Sequence, residues 1–228
     1  MKIDKSVEEI NQCINCAGSV VRSDARFGAL LGLVPPYDVK VCGSCALRWL
    51  SPRPTAAGYR ELYSYENYFD GKDSVEYYPA LATARRPYFA DRIRRIEKFL
   101  DPLGSLAILD IGAATGEFVH EAVQRGHRAT GIELSPGARL AAKQNYGLEL
   151  IDTPIEALDG AAMYDVIHMN HVFEHLPYPA ETLAACHKHL NRSGLLVLEV
   201  PQQLDLRRSK LGPIVGHGKI ANGRPIPI

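Results

Sequence analysis

Leu106 to Phe118 reads LAILDIGAATGEF, and this stretch decides the fold. Its first six residues form a short apolar run, the mark of a strand buried in a parallel sheet. The run meets Gly112, passes Gly116 and continues into a helical pattern that ends near Gly126. Two familiar glycine-loop readings fail here. Ala114 and Glu117 stand where G-x-G-x-x-G needs its second and third glycines, and no G-K-[ST] follows to make a P-loop.

Downstream, the same alternation repeats. Arg128 to Leu134 (RATGIEL) reads as a second strand, with Glu133 near its carboxyl end. Leu148 to Asp152 reads as a third strand, Tyr164 to Asn170 as a fourth, and Leu195 to Val200 as a fifth after an Asn191–Gly194 turn. Strands alternating with helices predict an α/β fold with a doubly wound parallel sheet. Upstream, Ile93, Ile96 and Leu100 recur at helical spacing and predict a helix over 74–100. Arg85, Arg86, Arg92, Arg94 and Arg95 read as a solvated face of it, with a phosphate-binding stripe as the minor alternative. The tyrosine-rich run before it reads as interdomain packing or as a lid carrying Tyr65, Tyr68 and Phe69.

The N-terminal cysteines carry a second signal. Cys13 and Cys16 form one C-x-x-C, and Cys42 and Cys45 another. Two residues between thiols let a tight turn aim both sulfurs at one ion, and Gly43 suits such a turn. Four thiolates leave no open coordination position, so the spacing predicts a structural zinc held by Cys13, Cys16, Cys42 and Cys45. A β-ribbon filling the gap would return through PPYDVKVC. So short a module buries little core, and the metal would supply folding energy. Cys186 stands alone in a helical pattern and reads as a buried small residue.

Composition narrows the partners. Twenty-six basic and 26 acidic residues give zero formal net charge, so no global field draws in nucleic acid or an anionic membrane. The chain lacks a signal-like start and a membrane-length apolar run, which predicts a cytoplasmic protein. The expected segments are a zinc-ribbon-like module over 1–54, an aromatic linker and helices over 55–104, a cofactor-binding domain over 105–203 and an irregular tail over 204–228.

DIGAATG resembles motif I (D-x-G-x-G-x-G) of class I S-adenosylmethionine-dependent methyltransferases, with Ala114 in place of the middle glycine. The Glu174-His175-Leu176 segment resembles the stretch following the family's fourth strand. VCGSCALRWLSPRP followed by tyrosines resembles the zinc-ribbon heads of a bacterial group associated with sugar or polysaccharide modification. The resemblance implies S-adenosylmethionine as cofactor and contacts from Asp110, Gly112, Ala114, Gly116, Glu133, Asp152, Thr153 and Asn170. Glycines let the backbone approach a cofactor that has no phosphates. Glu133 would accept both ribose hydroxyls. A small-molecule acceptor, such as a nucleotide sugar or glycan, is implied as partner.

Methyl transfer needs alignment above all, and a hydroxyl acceptor also needs a base. His171, Glu174 and His175 follow a strand's carboxyl end and are the candidate catalytic residues; capping of the sheet edge by Glu174 and His175, and metal binding by the cluster, are the alternatives. His171 and His175, four apart, would share a helix face. The resemblance also implies strand order 3-2-1-4-5 and a terminal helix and hairpin for which the residues after Val200 are too few and too irregular. A truncated chain, self-association through the fifth strand's open edge, and weak transfer are the resulting expectations. Two other classes compete: a catalytically impaired methyltransferase-fold binding protein, and a zinc-ribbon nucleic-acid-binding protein, which the zero net charge disfavours.

Overall fold

The computed structural model describes residues 7–55, 57–59 and 74–200, with backbone alone at Leu30 and over 74–85. These residues form two compact units, one ending at Tyr59 and one ending at Glu199. The expected lid residues Tyr65, Tyr68 and Phe69, and the expected irregular tail over 204–228, lie outside the described residues.

The first unit contains β1 (Val7–Glu8), β2 (Val21–Ser23), α1 (Ala25–Leu30), β3 (Asp38–Cys42), β4 (Arg48–Ser51) and β5 (Arg53–Pro54). Strands β2, β3 and β4 make an antiparallel sheet, and β1 pairs with β5. The PPYDVKVC stretch does supply the returning strand, as β3. The gap between the cysteine pairs also holds a short helix, α1, capped by Asp24 through a hydrogen bond from the Phe27 amide. The core is small. Cys13, Cys42 and Trp49 form its buried cluster, with Ile10, Ile14, Val21 and Leu47 packed against them, and Val39 of β3 is also buried.

The second unit begins with α2 (Ser74–Leu100), as the helical spacing predicts. It continues through β6 (Ala107–Ile111), α3 (Glu117–Gln124), β7 (Arg128–Ile132), α4 (Pro136–Tyr146), β8 (Tyr164–Asn170), α5 (Pro179–His189) and β9 (Leu190–Glu199). The sheet is parallel, in the order β7-β6-β8-β9. Alternation along β6 and β8 sorts side chains into two layers. Ile108 and Val166 pack with Phe89, Ile93 and Ile96 of α2 and with Phe118 of α3. Leu109, Ile111, Ile167 and Met169 face the other way, with Cys186 of α5 and Ile155. Helices therefore cover both faces, which makes this a doubly wound α/β domain. Ile93 is wholly buried. Ile93→Ala should cost about 2–5 kcal/mol of stability, read from a denaturant midpoint.

Two expectations are corrected. The third strand over 148–152 is reduced to one bridge, between Ile132 and Ile151. Its run is pinned between Gly147, a left-handed helix cap, and Pro154, which has no N–H to donate. Only the Ile151 amide to Gly131 and the Glu133 amide to Ile151 tie it to β7. The fifth strand starts earlier, at Leu190, with a register irregularity where a turn was expected. In the arginine stripe, Arg86 pairs with Glu121, Arg92 with Glu199, and Arg94 and Arg95 with Asp91, while Arg86, Arg94 and Arg95 stay largely exposed; the side chain of Arg85 lies outside the described residues.

Candidate functional site

The two C-x-x-C turns have matching backbones. The Ala17 amide donates to Cys13 O at 2.9 Å and the Ala46 amide to Cys42 O at 3.0 Å. Ala17 and Ala46, each just past the second cysteine, adopt left-handed φ of 54° and 61°. Gly43 serves the turn by closeness, since an added Cβ would sit 2.8 Å from Val20 Cγ1. The four sulfurs lie within 4.8 Å of one another, with Cys13–Cys45 at 3.5 Å and Cys16–Cys42 at 3.6 Å. Zinc–sulfur bonds of about 2.3 Å in a tetrahedron put sulfurs roughly 3.8 Å apart, so the donor set fits zinc. The electrostatics agree. Amides of Cys45 and Ser44 lower the Cys42 thiol to about 6. Cys16 goes the other way, to about 12: the Gly18 amide pulls it down, and the sulfurs of Cys45, Cys13 and Cys42 outweigh that pull. Four crowded sulfurs cannot all ionise without a cation among them.

In the second unit, β6 delivers Asp110 to the glycine loop. The loop folds back on β7: the amides of Gly112 and Ala113 donate to Ile132 O at 2.8 and 2.9 Å. Gly112, Ala114 and Gly116 all have positive φ, at 72°, 48° and 89°. At Gly112 an added Cβ would stand 2.4 Å from Val172 Cγ2, so glycine is required by both space and φ. Ala114 carries a Cβ in the left-handed region, a strain of about 1–2 kcal/mol that the expected middle glycine would avoid.

Glu133 sits just beyond β7 and locks onto this loop. Its Oε2 accepts from the Ala114 amide at 2.9 Å and its Oε1 from the Ser135 amide at 2.8 Å. Burial pushes its carboxyl above the ordinary range, against the opposing pull of the Ser135 and Ala114 amides and Arg139; Asp110 adds to the rise. Arg139 of α4 holds the strand end by donating to Glu133 O and Leu134 O. Asp152 is exposed, with Arg139 at 3.9 Å and Thr153 Oγ1 at 3.3 Å. The loop and Glu133 are thus brought together; Asp152 and Thr153 are joined to them through Arg139.

Asn170 ends β8 and accepts from Tyr88 Oη at 3.3 Å. His171 follows with a left-handed φ of 55°. The expected helix over this segment is a 3-10 turn, Phe173–His175. Both imidazoles still reach one carboxylate oxygen: Glu174 Oε1 lies 3.4 Å from His171 Nδ1 and 3.8 Å from His175 Nε2. Both Glu174 oxygens are buried without a hydrogen-bond partner among the described residues. Burial lowers the His175 pKa, against Glu174 and with help from His171. Sequence reasoning missed the polar rim around this cluster. Tyr88 also donates to Glu199, Arg92 pairs with Glu199, and His171 Nε2 lies 3.7 Å from Glu199 Oε1. No sequence spacing joins Tyr88 to Glu199, which are 111 residues apart.

A methyltransferase-domain family model matches residues 81–223. Ubiquinone biosynthesis O-methyltransferases are similar: that of Leptothrix cholodnii is 30% identical over 47% of this chain and 49% of its own. That of Nitrosococcus oceani is 36% identical over 40% of this chain and 42% of its own. Among solved structures, an amino pentose methyltransferase from Micromonospora echinaspora is 24% identical over 55% of this chain and 56% of its own, with a TM-score of 0.47. The chain spans about half the length of the curated relatives it matches. With the matched region covering more than half of its residues, the chain belongs to the methyltransferase-domain family.

Proposed function

We propose that the protein transfers a methyl group from S-adenosylmethionine to a small-molecule acceptor, a sugar or polysaccharide precursor, and carries one structural zinc on Cys13, Cys16, Cys42 and Cys45. The observation that carries the cofactor reading is Glu133, a buried carboxylate bonded to the Ala114 amide of a left-handed glycine loop. Its acceptor oxygens suit a ribose diol. Asp110 adds a buried acid on the strand leading into the loop, suited to an amine. When bound, the cofactor supplies an electrophilic methyl on a positively charged sulfur.

The acceptor half rests on β8 and β9. Asn170, His171, Glu174, His175 and Glu199 gather at the carboxyl ends of these strands, where open α/β sheets bind ligands. His175, held neutral by burial, suits a base that takes a hydroxyl proton, and Glu174 would orient it and balance the resulting charge. The sugar assignment draws on the resemblance of the N-terminal module.

Calorimetry with S-adenosylmethionine and S-adenosylhomocysteine tests the cofactor, and a screen of nucleotide sugars tests the acceptor. Cofactor binding with no turnover of any acceptor would favour the impaired binding protein instead. Glu133→Ala should weaken S-adenosylhomocysteine by about 1.5–3 kcal/mol, the scale for hydrogen bonds to a charged group. The ionised carboxylate is the acceptor form, and its pKa is raised. Affinity should therefore fall on acidification earlier than a solvent-exposed glutamate would dictate, and be restored at higher pH. A flat profile from pH 7 into the acid range would overturn the Glu133 assignment.

A further inference from the structure

We infer that His168 is a positioning residue for Asp110, holding its carboxylate ready for the cationic amine end of the cofactor. This rests on the cofactor reading above. Asp110 and His168 are register partners on neighbouring strands β6 and β8, so their side chains share a face. His168 Nδ1 lies 2.7 Å from Asp110 Oδ1, and the two side chains are 1% and 6% exposed. The imidazole stacks on Phe118 of α3, centroids 3.9 Å apart and planes 11° from parallel. Phe118 lies two residues past Gly116, so the same helix that closes the glycine loop clamps the ring.

The hydrogen-bond inventory points one way. His168 Nε2 is buried with no partner among the described residues, so Asp110 is the ring's one hydrogen-bonded group there. A buried histidine is costly unless its polar atoms are used. Donation from Nδ1 fixes the plane of the Asp110 carboxylate. Oδ2 takes no protein hydrogen bond among the described residues, which leaves one acceptor uncommitted. A buried carboxylate with one oxygen tethered and one free is an arrangement suited to a single cationic donor. Packing alone would not need a donor at Nδ1, since phenylalanine would stack on Phe118 as well.

Three variants separate these roles. His168→Phe keeps the stack and deletes the donor. His168→Asn keeps a donor near Nδ1 and loses the stack. His168→Gln places its amide nitrogen near the Nε2 position. Each is titrated by calorimetry with S-adenosylhomocysteine and with 5′-methylthioadenosine, which has the adenosine end but no amine. The expected result is about ten- to hundredfold weaker S-adenosylhomocysteine binding for His168→Phe and His168→Gln, the loss of one charge-assisted bond. His168→Asn should bind close to the parent, and 5′-methylthioadenosine should bind all four proteins alike. Should His168→Phe fail to fold by circular dichroism, the Asn and Gln variants decide. Equal binding by Asn and Gln variants, or equal loss for the two ligands, would overturn the inference. A parent that binds neither ligand would overturn the cofactor reading itself.

Discussion

Replacing Cys42 by Ser, or stripping metal with a strong chelator, is expected to unfold the first unit while the second stays folded. The reason is the size of its core. Four buried hydrophobic residues among those described, Cys13, Val39, Cys42 and Trp49, two of them metal-ligand candidates, cannot offset the chain entropy of some fifty ordered residues. Structural zinc sites supply roughly 10–16 kcal/mol in small peptides at neutral pH. The chain's one tryptophan, Trp49, is buried and donates from Nε1 to Ile10 O, so its emission reports this unit alone. A red shift on chelation, reversed by added zinc, is the expected signal. About one zinc per chain should appear on metal analysis, by the four-ligand rule. Unchanged emission together with metal-free protein would refute the zinc assignment.

The second large effect is at the glycine loop. Gly112→Val should abolish cofactor binding and lower stability by about 2–6 kcal/mol, combining backbone strain at φ 72° with overpacking against Val172. The physical cause differs from the one the sequence suggests. From sequence, a branched side chain there intrudes on the cofactor; in the structure it first strikes Val172, two residues before Glu174. The substitution therefore pushes on the catalytic candidates as well as the loop. A Gly112→Val protein that melts and binds like the parent would remove the loop from the site.

The parts legible in sequence are those with a local period. LAILDI is a short apolar run ended by a glycine loop, YDVIHMN places Val166, Ile167 and Met169 before another loop, and both supply strands. The helix over 74–100 announces itself through Ile93, Ile96 and Leu100. The third strand misleads because LELI has the right composition, and only the flanking Gly147 and Pro154 shorten its ladder. The candidate site is legible where a sequence spacing suffices, as with Glu133, which the structure brings onto the glycine loop. It is hidden where partners meet only through register. His168 looks like a blemish in an apolar strand until β6 and β8 are aligned, which brings it beside Asp110.

The irregularity between β8 and β9 bears on how this lineage can change length. From Tyr164 to Val166 the ladder advances two residues on β8, while on β9 it advances five, from Leu190 to Leu195. Three residues are therefore surplus to the pairing, and Asn191 to Ser193 are exposed. Removing Arg192, Ser193 and Gly194 would leave Asn191, which already bonds Asp165 at 2.7 Å, opposite its own partner. Every side chain from Leu195 to Glu199 would keep its face. One residue lost from within β8 would instead exchange its two faces beyond the deletion, sending His168 into the opposite apolar layer and Met169 toward Asp110. Insertions and deletions among descendants should accordingly collect at 191–194 and be absent between Tyr164 and Asn170.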